Sequence, residues 1–489
     1  LDRRCVVCHG CYDAPCQLKL GSWEGISRGA HTDKVYNGER LLAGNLTRLF
    51  EDAHTTAQWR AKGFFPVLNE RANTPDANIA GSTLAQMLLL KQDHPLPAAP
   101  LLTDSFDLAL NRDQQCTPVE KFADYRTKYP LWGMPYGLPG LSPREHDTLL
   151  QWVKDGAPYR PRNPVTSALQ QQVNQWEAFL NQDFPKAQLM SRYLFEHLYL
   201  AHLHFPDITA AGTTPVFFDL VRSATPPGQP VQRIATRRPF DDPGVARVYY
   251  RLQPVREAIA AKTHMPYRLD AARLQRWQDL FLKPVYNVTA LPSYKIEEAS
   301  NPFITFRQLP TQARYRFLLD EAQYSIMNFI KGPVCRGQLA LNVINDHFWI
   351  AFVDPDLASA DLDSDFMAEQ LRQLELPAEA DSTVSPLRWL KYADKEKRYL
   401  EAKSRFLNEA VKDKIPLNLN LLWDGDGHNE NAALTIFRHS DSASVEKGLL
   451  GNQPQTAWVL NYPLLERIHY LLVAGYDVYG NVGHQLSSR

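Results

Sequence analysis

Two cysteines and a histidine near the start of the chain constrain its fold more than any other feature. Cys5 and Cys8 are separated by two residues and followed at once by His9, which is the C-x-x-C-H pattern of covalent c-type haem attachment. In that arrangement the thiols bond to the haem vinyl groups and the imidazole binds the iron as proximal ligand. Cys11 and Cys16 follow closely, so a zinc site or a disulfide loop is the alternative, although no second cysteine pair with zinc spacing occurs later. We therefore expect one covalently bound haem c, which carries chemistry that side chains alone cannot supply.

Composition narrows the class of protein. The 489 residues are enough for about two to four domains. Lys and Arg (53) balance Asp and Glu (54), and the formal net charge of -1 argues against nucleic-acid binding, because that needs a basic surface. No run of 18 apolar residues occurs, so we expect no transmembrane helix. Haem attachment to C-x-x-C-H follows export in bacteria, so we expect a periplasmic protein whose signal sequence lies upstream of Leu1.

The remaining four cysteines can form disulfides in an oxidising compartment. They are Cys11, Cys16, Cys116 and Cys335, and four cysteines allow three connectivities. A Cys11–Cys16 bond would close a short loop beside the haem, whereas a Cys16–Cys116 bond would join the haem segment to a later one. The sequence does not choose between them.

A second segment with a haem-ligand pattern occurs further along the chain. Met134 lies in the sequence Trp132-Gly133-Met134-Pro135, and in many small cytochromes c a methionine in such a turn is the sixth iron ligand. Proline fixes the loop backbone, and the soft thioether raises the haem potential. We therefore predict Met134 as an axial ligand. Met265, in the similar sequence Thr263-His264-Met265-Pro266, is the alternative.

A capped helix completes the features of a cytochrome-like module. Ser142 is placed as N-cap, Pro143 at the first helical position and Glu145 at the third, and apolar residues then follow with helical spacing. Gly156 is placed to end the helix. The order of haem motif, Met-Pro loop and terminal helix resembles a cytochrome c domain, so residues 1–160 are predicted to form a cytochrome c-like haem domain.

Residues 161–489 are predicted to form a larger helix-rich domain, and the chain as a whole is expected to be mainly α with some β (α+β). We expect helices at 189–205, 318–330 and 464–473, and strands at 217–221 and within 339–353. A degenerate second cytochrome-like half is expected near 245–285, because the Met265 segment also precedes a helix. The acidic stretch 421–431 lacks the glutamate that ends a calcium loop, so a tight turn is predicted there.

Six stretches of the chain carry a resemblance to a known family. They are residues 5–16, 132–140, 237–250, 262–267, 332–349 and 467–484. Together they resemble the bacterial fatty acid cis/trans isomerases, over essentially the whole chain. The resemblance implies a periplasmic haem c protein that converts cis-unsaturated acyl chains of membrane phospholipids to trans, without moving the double bond and without ATP or a nicotinamide cofactor. Family members are expected to continue beyond Arg489, so this chain is expected to be truncated at its C-terminus.

The resemblance also implies roles and partners. Cys5, Cys8 and His9 carry over as the functional residues, acting through the haem as two thioethers and the proximal imidazole. The expected substrates are unsaturated fatty acids or phospholipid acyl chains, the expected partner is the inner-membrane surface, and no nucleic acid is expected. The trans chains pack more tightly, so the implied role is membrane adaptation to solvent or heat stress.

Two other classes of protein remain compatible with the haem motif. An electron-transfer cytochrome fused to a binding domain predicts a six-coordinate haem, a reversible potential and no product. A haem peroxidase or lipid oxygenase predicts oxidised products that depend on peroxide or oxygen. An isomerase instead predicts a trans product with no net redox change, and hence a weak or displaceable sixth ligand.

Overall fold

The structure, a computed structural model, describes most of the chain. The described residues are 1–10, 14–33, 48–97, 101–102, 106, 114–161, 165–210, 212–259, 264–331, 346–357, 364–375, 386–411, 418–439 and 442–473. They divide into two compact units, of which the smaller contains Leu1–Asn163 and Arg256–Lys262 and the larger contains the other described residues. None of the described helices combines the length and the apolar character that crossing a membrane requires.

Helices form the regular structure described in the smaller unit. They are α1 Val6–His9, α2 Trp23–Arg28, α3 Thr56–Ala61, α4 Pro75–Ala80, α5 Thr83–Asp93, α6 Phe122–Lys128 and α7 Pro143–Lys154. Five of them follow a serine or threonine whose side-chain oxygen accepts a hydrogen bond from the backbone N–H three residues on. That bond satisfies one of the N–H groups that a first helical turn leaves without a partner. Local sequence therefore sets where these short helices begin.

Helix α7 confirms the prediction of a capped helix that begins after Ser142. The Ser142 side chain accepts from the Glu145 N–H, and the Glu145 carboxylate accepts in return from the Ser142 N–H at 3.0 Å. Pro143 occupies the first turn, and Gly156 follows the helix with a φ of 80°, a left-handed conformation that glycine adopts without steric cost. The Arg4 side chain also donates to Glu145 at 3.3 Å, so the helix is tied to the N-terminal segment.

The larger unit combines helices with two small mixed sheets. Its helices are α8 Ser167–Leu180, α9 Pro185–Leu198, α10 Ala271–Trp277, α11 Ile296–Ala299, α12 Pro302–Thr305, α13 Thr311–Asp320, α14 Ala322–Lys331, α15 Ser364–Gln370, α16 Pro386–Phe406 and α17 Tyr462–Val473. Its strands are β1 His202–His204, β2 Phe218–Ser223, β3 Tyr249–Pro254, β4 Pro266–Arg268, β5 His347–Phe352, β6 Ala433–His439, β7 Ser442–Lys447 and β8 Ala457–Leu460. This content confirms the α+β class.

Each sheet contains one parallel pair. The strand orders are β3-β2-β1-β4 and β7-β6-β5-β8. β1 is parallel to β4 and β5 is parallel to β8, whereas the other pairs are antiparallel. Buried and half-buried residues alternate along β5, so one face of its sheet packs on the core. The centre of that core is aromatic and fully buried, with Trp176, Tyr193, Trp277, Phe281 and Phe306 among its members.

The predicted helix at 189–205 is wrong in its second half. Helix α9 ends at Leu198, and His202–His204 form β1, which pairs with β4. Leu203 is buried between two half-buried histidines, which is the two-residue alternation of a strand. The predicted helix at 318–330 is also divided, because the backbone of Glu321 is not helical and separates α13 from α14.

Other predictions for the larger unit hold. Strand β2 and helix α17 confirm the elements expected at 217–221 and 464–473, and β5 confirms a strand within 339–353, of which residues 339–345 lie outside the described residues. Short 3-10 turns occupy 421–431, as expected of a turn. The segment 245–285 contains β3, β4 and α10. The cytochrome c-like character of residues 1–160 and the degenerate second half stay predictions.

Candidate functional site

An apolar cavity of about 340 Å³ in the smaller unit brings the predicted haem residues together. Cys5, Cys8 and His9 line it from the N-terminal segment, and Met134 lines it from the loop before α7. Aliphatic and aromatic side chains contribute much of the wall, among them Leu18, Leu20, Phe65, Val67, Leu84 and Leu88. Residues that are far apart in the sequence therefore meet around one volume.

His9 is held in place through its side chain and its backbone. The residue is 8% exposed, and its Nδ1 lies 2.9 Å from the Leu18 carbonyl oxygen. A carbonyl can only accept a hydrogen bond, so Nδ1 carries a proton, and a neutral His9 would carry its lone pair on Nε2. The Leu20 N–H donates to the His9 carbonyl at 2.9 Å. Metal-ligating histidines commonly have their second nitrogen bonded in this way, so the geometry suits His9 as an iron ligand.

The two cysteines of the motif form no disulfide. Cys5 immediately precedes α1 and Cys8 lies within it, and the Cys8 N–H donates to the Cys5 carbonyl at 3.1 Å. Cys5 is half-buried and Cys8 is exposed. Burial raises the pKa of the Cys5 thiol above its ordinary value, and the neighbouring Cys8 acts in the same direction. Both thiols are available for bonding to a group in the cavity.

A disulfide between Cys16 and Cys116 joins two walls of the cavity. The two Cα atoms are 5.5 Å apart, and the bond links positions 100 residues apart in the sequence. It decides one of the pairings that the sequence left open, while Cys11 and Cys335 lie outside the described residues. Because Cys16 is oxidised, it cannot supply a thiolate to a four-cysteine zinc site. Within the described ranges no group of three or more potential ligands is placed to hold a metal ion.

The backbone at the disulfide is strained. Cys16 and Gln17 have φ angles of 56° and 51°, which side-chain-bearing residues adopt rarely. The Cys16 N–H donates to the Gln114 side chain at 2.9 Å, and the His31 N–H donates to the Cys16 carbonyl at 2.8 Å. The disulfide and these hydrogen bonds together hold the turn at the cavity wall.

Met134 reaches the cavity through a loop that packs closely on α5. The Met134 N–H donates to the Met87 carbonyl at 3.1 Å. A Cβ atom on Gly133 would lie 2.4 Å from the backbone nitrogen of Lys91, so only glycine permits this approach. The structure thus places Met134 and His9 on the wall of one cavity, and iron binding by Met134 stays a prediction.

Helix α5 contributes cavity residues that the sequence analysis missed. Thr83, Leu84, Met87 and Leu88 all line the cavity. Their one signal in the sequence is the i, i+3, i+4 spacing of a helix face, which is equally typical of ordinary core. Met87 brings a second thioether to the cavity, and the Thr83 hydroxyl is buried with no hydrogen-bond partner among the described residues.

Comparison with known proteins assigns the chain to a family. The model of the family described as fatty acid cis/trans isomerase (CTI) matches residues 44–489. The chain belongs to the fatty acid cis/trans isomerase family. The isomerase is therefore an enzyme that interconverts cis and trans double bonds in fatty acids. Searches of curated proteins and of solved structures gave no match.

The matched region of the isomerase begins after the haem motif. Residues 44–489 include Met134 but none of Cys5, Cys8 and His9. The interpretation of this motif as a haem site therefore depends on the residue pattern and on the cavity, and not on the family match.

Met265, the alternative ligand, lies in the core of the larger unit of the isomerase. Its sulfur accepts a hydrogen bond from the Asn328 side chain, and its carbonyl accepts from the His202 N–H at 2.8 Å. Met265 is not among the described residues that line the cavity at His9. Within the smaller unit, the structure brings Met134 together with the C-x-x-C-H motif, and the alternative Met265 stays a prediction.

The donor set of the cavity fits a covalently bound haem. Two thiols, one imidazole and thioether sulfurs meet in a volume with largely apolar walls. Imidazole and thioether are the ligands that hold iron in c-type cytochromes, and apolar walls suit the flat faces of a porphyrin. The isomerase thus has the residues that one haem c requires.

Proposed function

We propose that the isomerase depends on haem c and converts cis-unsaturated acyl chains of membrane phospholipids and free fatty acids to trans, with the double-bond position retained. The observation that carries this proposal is the meeting of Cys5, Cys8, His9 and Met134 on one apolar cavity in a fatty acid isomerase. An isolated double bond offers no acidic proton and no carbonyl on which acid and base side chains act. A bound group with redox or Lewis-acid character supplies what the side chains lack.

Each residue of the site would have a separate role in binding the haem. Cys5 and Cys8 would form the two thioether bonds, and His9 would present Nε2 to the iron, oriented by the Nδ1 hydrogen bond to Leu18. Met134 is the proposed sixth ligand, and a thioether in that position raises the haem potential. When bound, the haem would supply an electrophilic iron, a redox or Lewis-acid centre that could weaken a double bond near it.

The part of the apolar wall that the haem leaves uncovered would contact the acyl chain. Burial of each methylene contributes roughly 0.8 kcal/mol, so side chains such as Phe65, Leu84 and Leu88 favour a hydrocarbon over water. Exclusion of water also strengthens electrostatic interactions inside the site and suppresses side reactions. The wall thus selects the class of substrate and protects the double bond during rotation.

The haem motif and the disulfide also support a proposal for where the isomerase acts and for its role in the cell. Haem attachment to C-x-x-C-H follows export, and the Cys16–Cys116 disulfide fits an oxidising compartment, so we place the isomerase in the periplasm. Its substrates would then be acyl chains at the inner-membrane surface. Because trans chains pack more tightly than cis chains, the reaction would stiffen the membrane under solvent or heat stress.

Gas chromatography of acyl chains tests the haem proposal. Holo-protein is incubated with a cis-unsaturated fatty acid, anaerobically and without reductant, and we expect trans product with the double bond in place. Cys5→Ala should give none, whereas Val7→Ala, which changes a 67% exposed residue between the two cysteines, should retain activity. Full activity in haem-free Cys5→Ala protein would refute the haem role.

The same assay separates the competing classes. Oxidised products that require oxygen or peroxide would indicate a peroxidase or oxygenase. A haem that is reversibly reduced, with no trans product from the holo-protein, would indicate electron transfer.

A further inference from the structure

Helix α16 of the larger unit packs on the protein along one side. Tyr399 is 4% exposed, and its ring centre lies 6.4 Å from that of Phe366 in α15. Glu396 forms an ion pair with Arg467 of α17 at 2.7 Å, and the same arginine donates to the Tyr392 hydroxyl. Tyr392, Glu396 and Tyr399 follow one another at spacings of four and three residues, so they share one side of the helix. These contacts fix α16 in place and turn its opposite side outward.

The opposite side of α16, its outer face, exposes leucines. Leu387, Leu390 and Leu400 are 79%, 65% and 54% exposed. Leu390 lies about one turn along the helix from Leu387, and Leu400 lies about three turns further on. Single exposed leucines are ordinary on a protein surface, whereas several on one helix face indicate an interaction surface. The outer face therefore has apolar surface that a partner can bury.

Basic side chains lie on the same outer face. Lys391, Arg398 and Arg405 are exposed and follow one another at intervals of seven residues, which is about two helical turns. They therefore form a row along the helix, beside the leucines. Exposed leucines flanked by basic side chains are typical of helices that bind a membrane surface. Lys and Arg suit that position, because their alkyl stems contact apolar groups while their charged ends stay in a polar layer.

The outer face has an excess of positive charge. Its acidic residues are Asp394 and Glu401, whose side chains are 53% and 58% exposed. Asp394 forms an ion pair with Arg398, and Glu401 lies 3.9 Å from the ammonium of Lys397. Each acid is thus balanced by a base four residues away, and the other two cations of the row carry the excess. A second copy of this face would be repelled by the same charge, whereas an anionic lipid surface is complementary to it.

We propose that the outer face of α16 is the surface through which the isomerase docks on an anionic phospholipid bilayer. The leucines enter the boundary between head groups and acyl chains, and the basic row contacts the lipid phosphates. The helix lies along the bilayer surface and does not cross it, because its other side is packed on the protein. The inference rests on the proposed function, since it names the surface that brings the isomerase to its membrane substrates, and it does not require the haem.

Vesicle sedimentation tests the docking surface with saturated phospholipids, which contain no double bond to isomerise. The holo-protein is mixed with vesicles of phosphatidylcholine alone or of phosphatidylcholine with phosphatidylglycerol. We expect at least roughly tenfold tighter binding to the anionic vesicles, because each basic residue near an anionic surface strengthens binding roughly fivefold. Added salt should reduce this preference by screening the charges. Equal binding to both kinds of vesicle would overturn the proposal, as would the absence of binding to either.

Two variants change the outer face at exposed positions, so neither removes a buried contact. Leu387→Glu places a carboxylate at the bilayer and should weaken binding to the anionic vesicles roughly tenfold or more. Leu419→Glu makes the same change at a leucine that is 82% exposed outside α16, and it is the matched control. The double variant Lys391→Gln with Arg405→Gln should remove the preference for phosphatidylglycerol. Wild-type binding by Leu387→Glu, or equal losses in it and in the control, would sink the inference.

Two further measurements separate docking from its alternatives. Analytical ultracentrifugation without lipid tests whether the outer face joins two copies of the chain, and a dimer that Leu387→Glu converts to a monomer would overturn the membrane proposal. Cys5→Ala protein should bind vesicles as the wild type does, because α16 lies in the other unit. Isomerisation of free fatty acid without vesicle binding would refute the docking surface alone. Vesicle binding with no haem-dependent isomerisation would refute the haem proposal alone.

Discussion

The cavity of the smaller unit and the polar core of the larger unit, which contains His197, His469 and Glu466, both include buried histidines, but their surroundings differ. His9 lines a volume of about 340 Å³ together with thiols and thioethers. His197 is fully buried, with Nε2 2.6 Å from the Glu466 carboxylate and Nδ1 2.8 Å from the Tyr193 carbonyl. Both ring nitrogens of His197 thus have partners within the protein. The cavity, in contrast, is lined by thiol, imidazole and thioether side chains, which are suited to binding a haem.

This difference shows that a buried histidine alone does not mark a site. His469 Nδ1 lies 2.6 Å from the Ser325 hydroxyl, a pairing that in an open cleft would suggest nucleophilic catalysis. Its Nε2 is also engaged, 2.8 Å from the His197 carbonyl. With both nitrogens bonded inside a packed core, His469 stabilises the contact between α9, α14 and α17. A volume beside the side chain is what distinguishes His9.

The largest effect is expected from His9→Ala. The variant keeps both thiols but removes the proximal imidazole, so we expect isomerisation to fall below detection and the haem absorption spectrum to change. Acyl-chain chromatography and absorption spectroscopy measure the two effects. His54→Ala, an exposed histidine of the same unit, is the control and should behave as the wild type. Wild-type activity in His9→Ala would place the chemistry elsewhere.

Removal of Glu466 tests whether its buried contacts in the polar core stabilise the fold. Glu466→Ala leaves His197 and the Tyr193 hydroxyl without their carboxylate partner in a fully buried position. Breaking a buried pair in this way costs about 3–5 kcal/mol of the free energy of unfolding, measurable by denaturant titration. Glu430→Ala, which removes a 76% exposed partner of Lys447, should cost less than about 1 kcal/mol. Similar losses in the two variants would show that the buried Glu466 stabilises the fold no more than the exposed Glu430 does.

Loss of the Cys16–Cys116 disulfide should loosen the cavity. Cys116→Ser opens a loop that spans 100 residues, and the expected loss is about 2–5 kcal/mol in the free energy of unfolding. Addition of a thiol reductant should lower the stability of the wild type and leave the variant unchanged. A reductant effect of equal size on both would show that the disulfide is not responsible.

Acid should destabilise the larger unit. Burial, with a further contribution from His197, lowers the pKa of His469 to about 3, and burial with His264 lowers that of His202 to about 4. Both lie below the value of about 6.5 in an unfolded chain, so protonation favours unfolding as the pH falls from 6.5 towards 4. Each histidine then contributes up to about 1.4 kcal/mol per pH unit.

The pKa of Glu466 extends this acid sensitivity below the histidine range. Burial opposes its ionisation, but His197, Arg314 and His469 together outweigh burial and lower the pKa from its ordinary value. Its stabilising contribution is therefore lost as the pH falls below about 4.5. Urea midpoints measured from pH 7 to pH 4 would show the predicted decline, and a flat profile would argue against buried neutral histidines.

The features that could be predicted from the sequence are those that depend on neighbouring residues. The C-x-x-C-H motif and the capped helix at Ser142 each lie within a few residues, so their geometry follows from local spacing. Met87 was missed because a helix face towards a cavity has the same pattern as a helix face towards core. The contact between His197 and Glu466 joins residues 269 positions apart. It could not be predicted from the sequence either, because no local pattern shows which distant segment packs into a core.

The smallest effect on stability, and the finest test of the cavity, is expected from its two methionines. Met134→Leu and Met87→Leu conserve volume, so each should cost less than about 1.5 kcal/mol in the free energy of unfolding. If Met134 is the sixth ligand, only Met134→Leu should remove the absorption of methionine-ligated ferric haem near the red edge of the visible spectrum. Loss of that band only in Met87→Leu would identify Met87 of α5 as the sixth ligand instead. An unchanged spectrum in both variants would exclude either thioether, and the cavity would then hold an iron whose sixth position is left to the substrate.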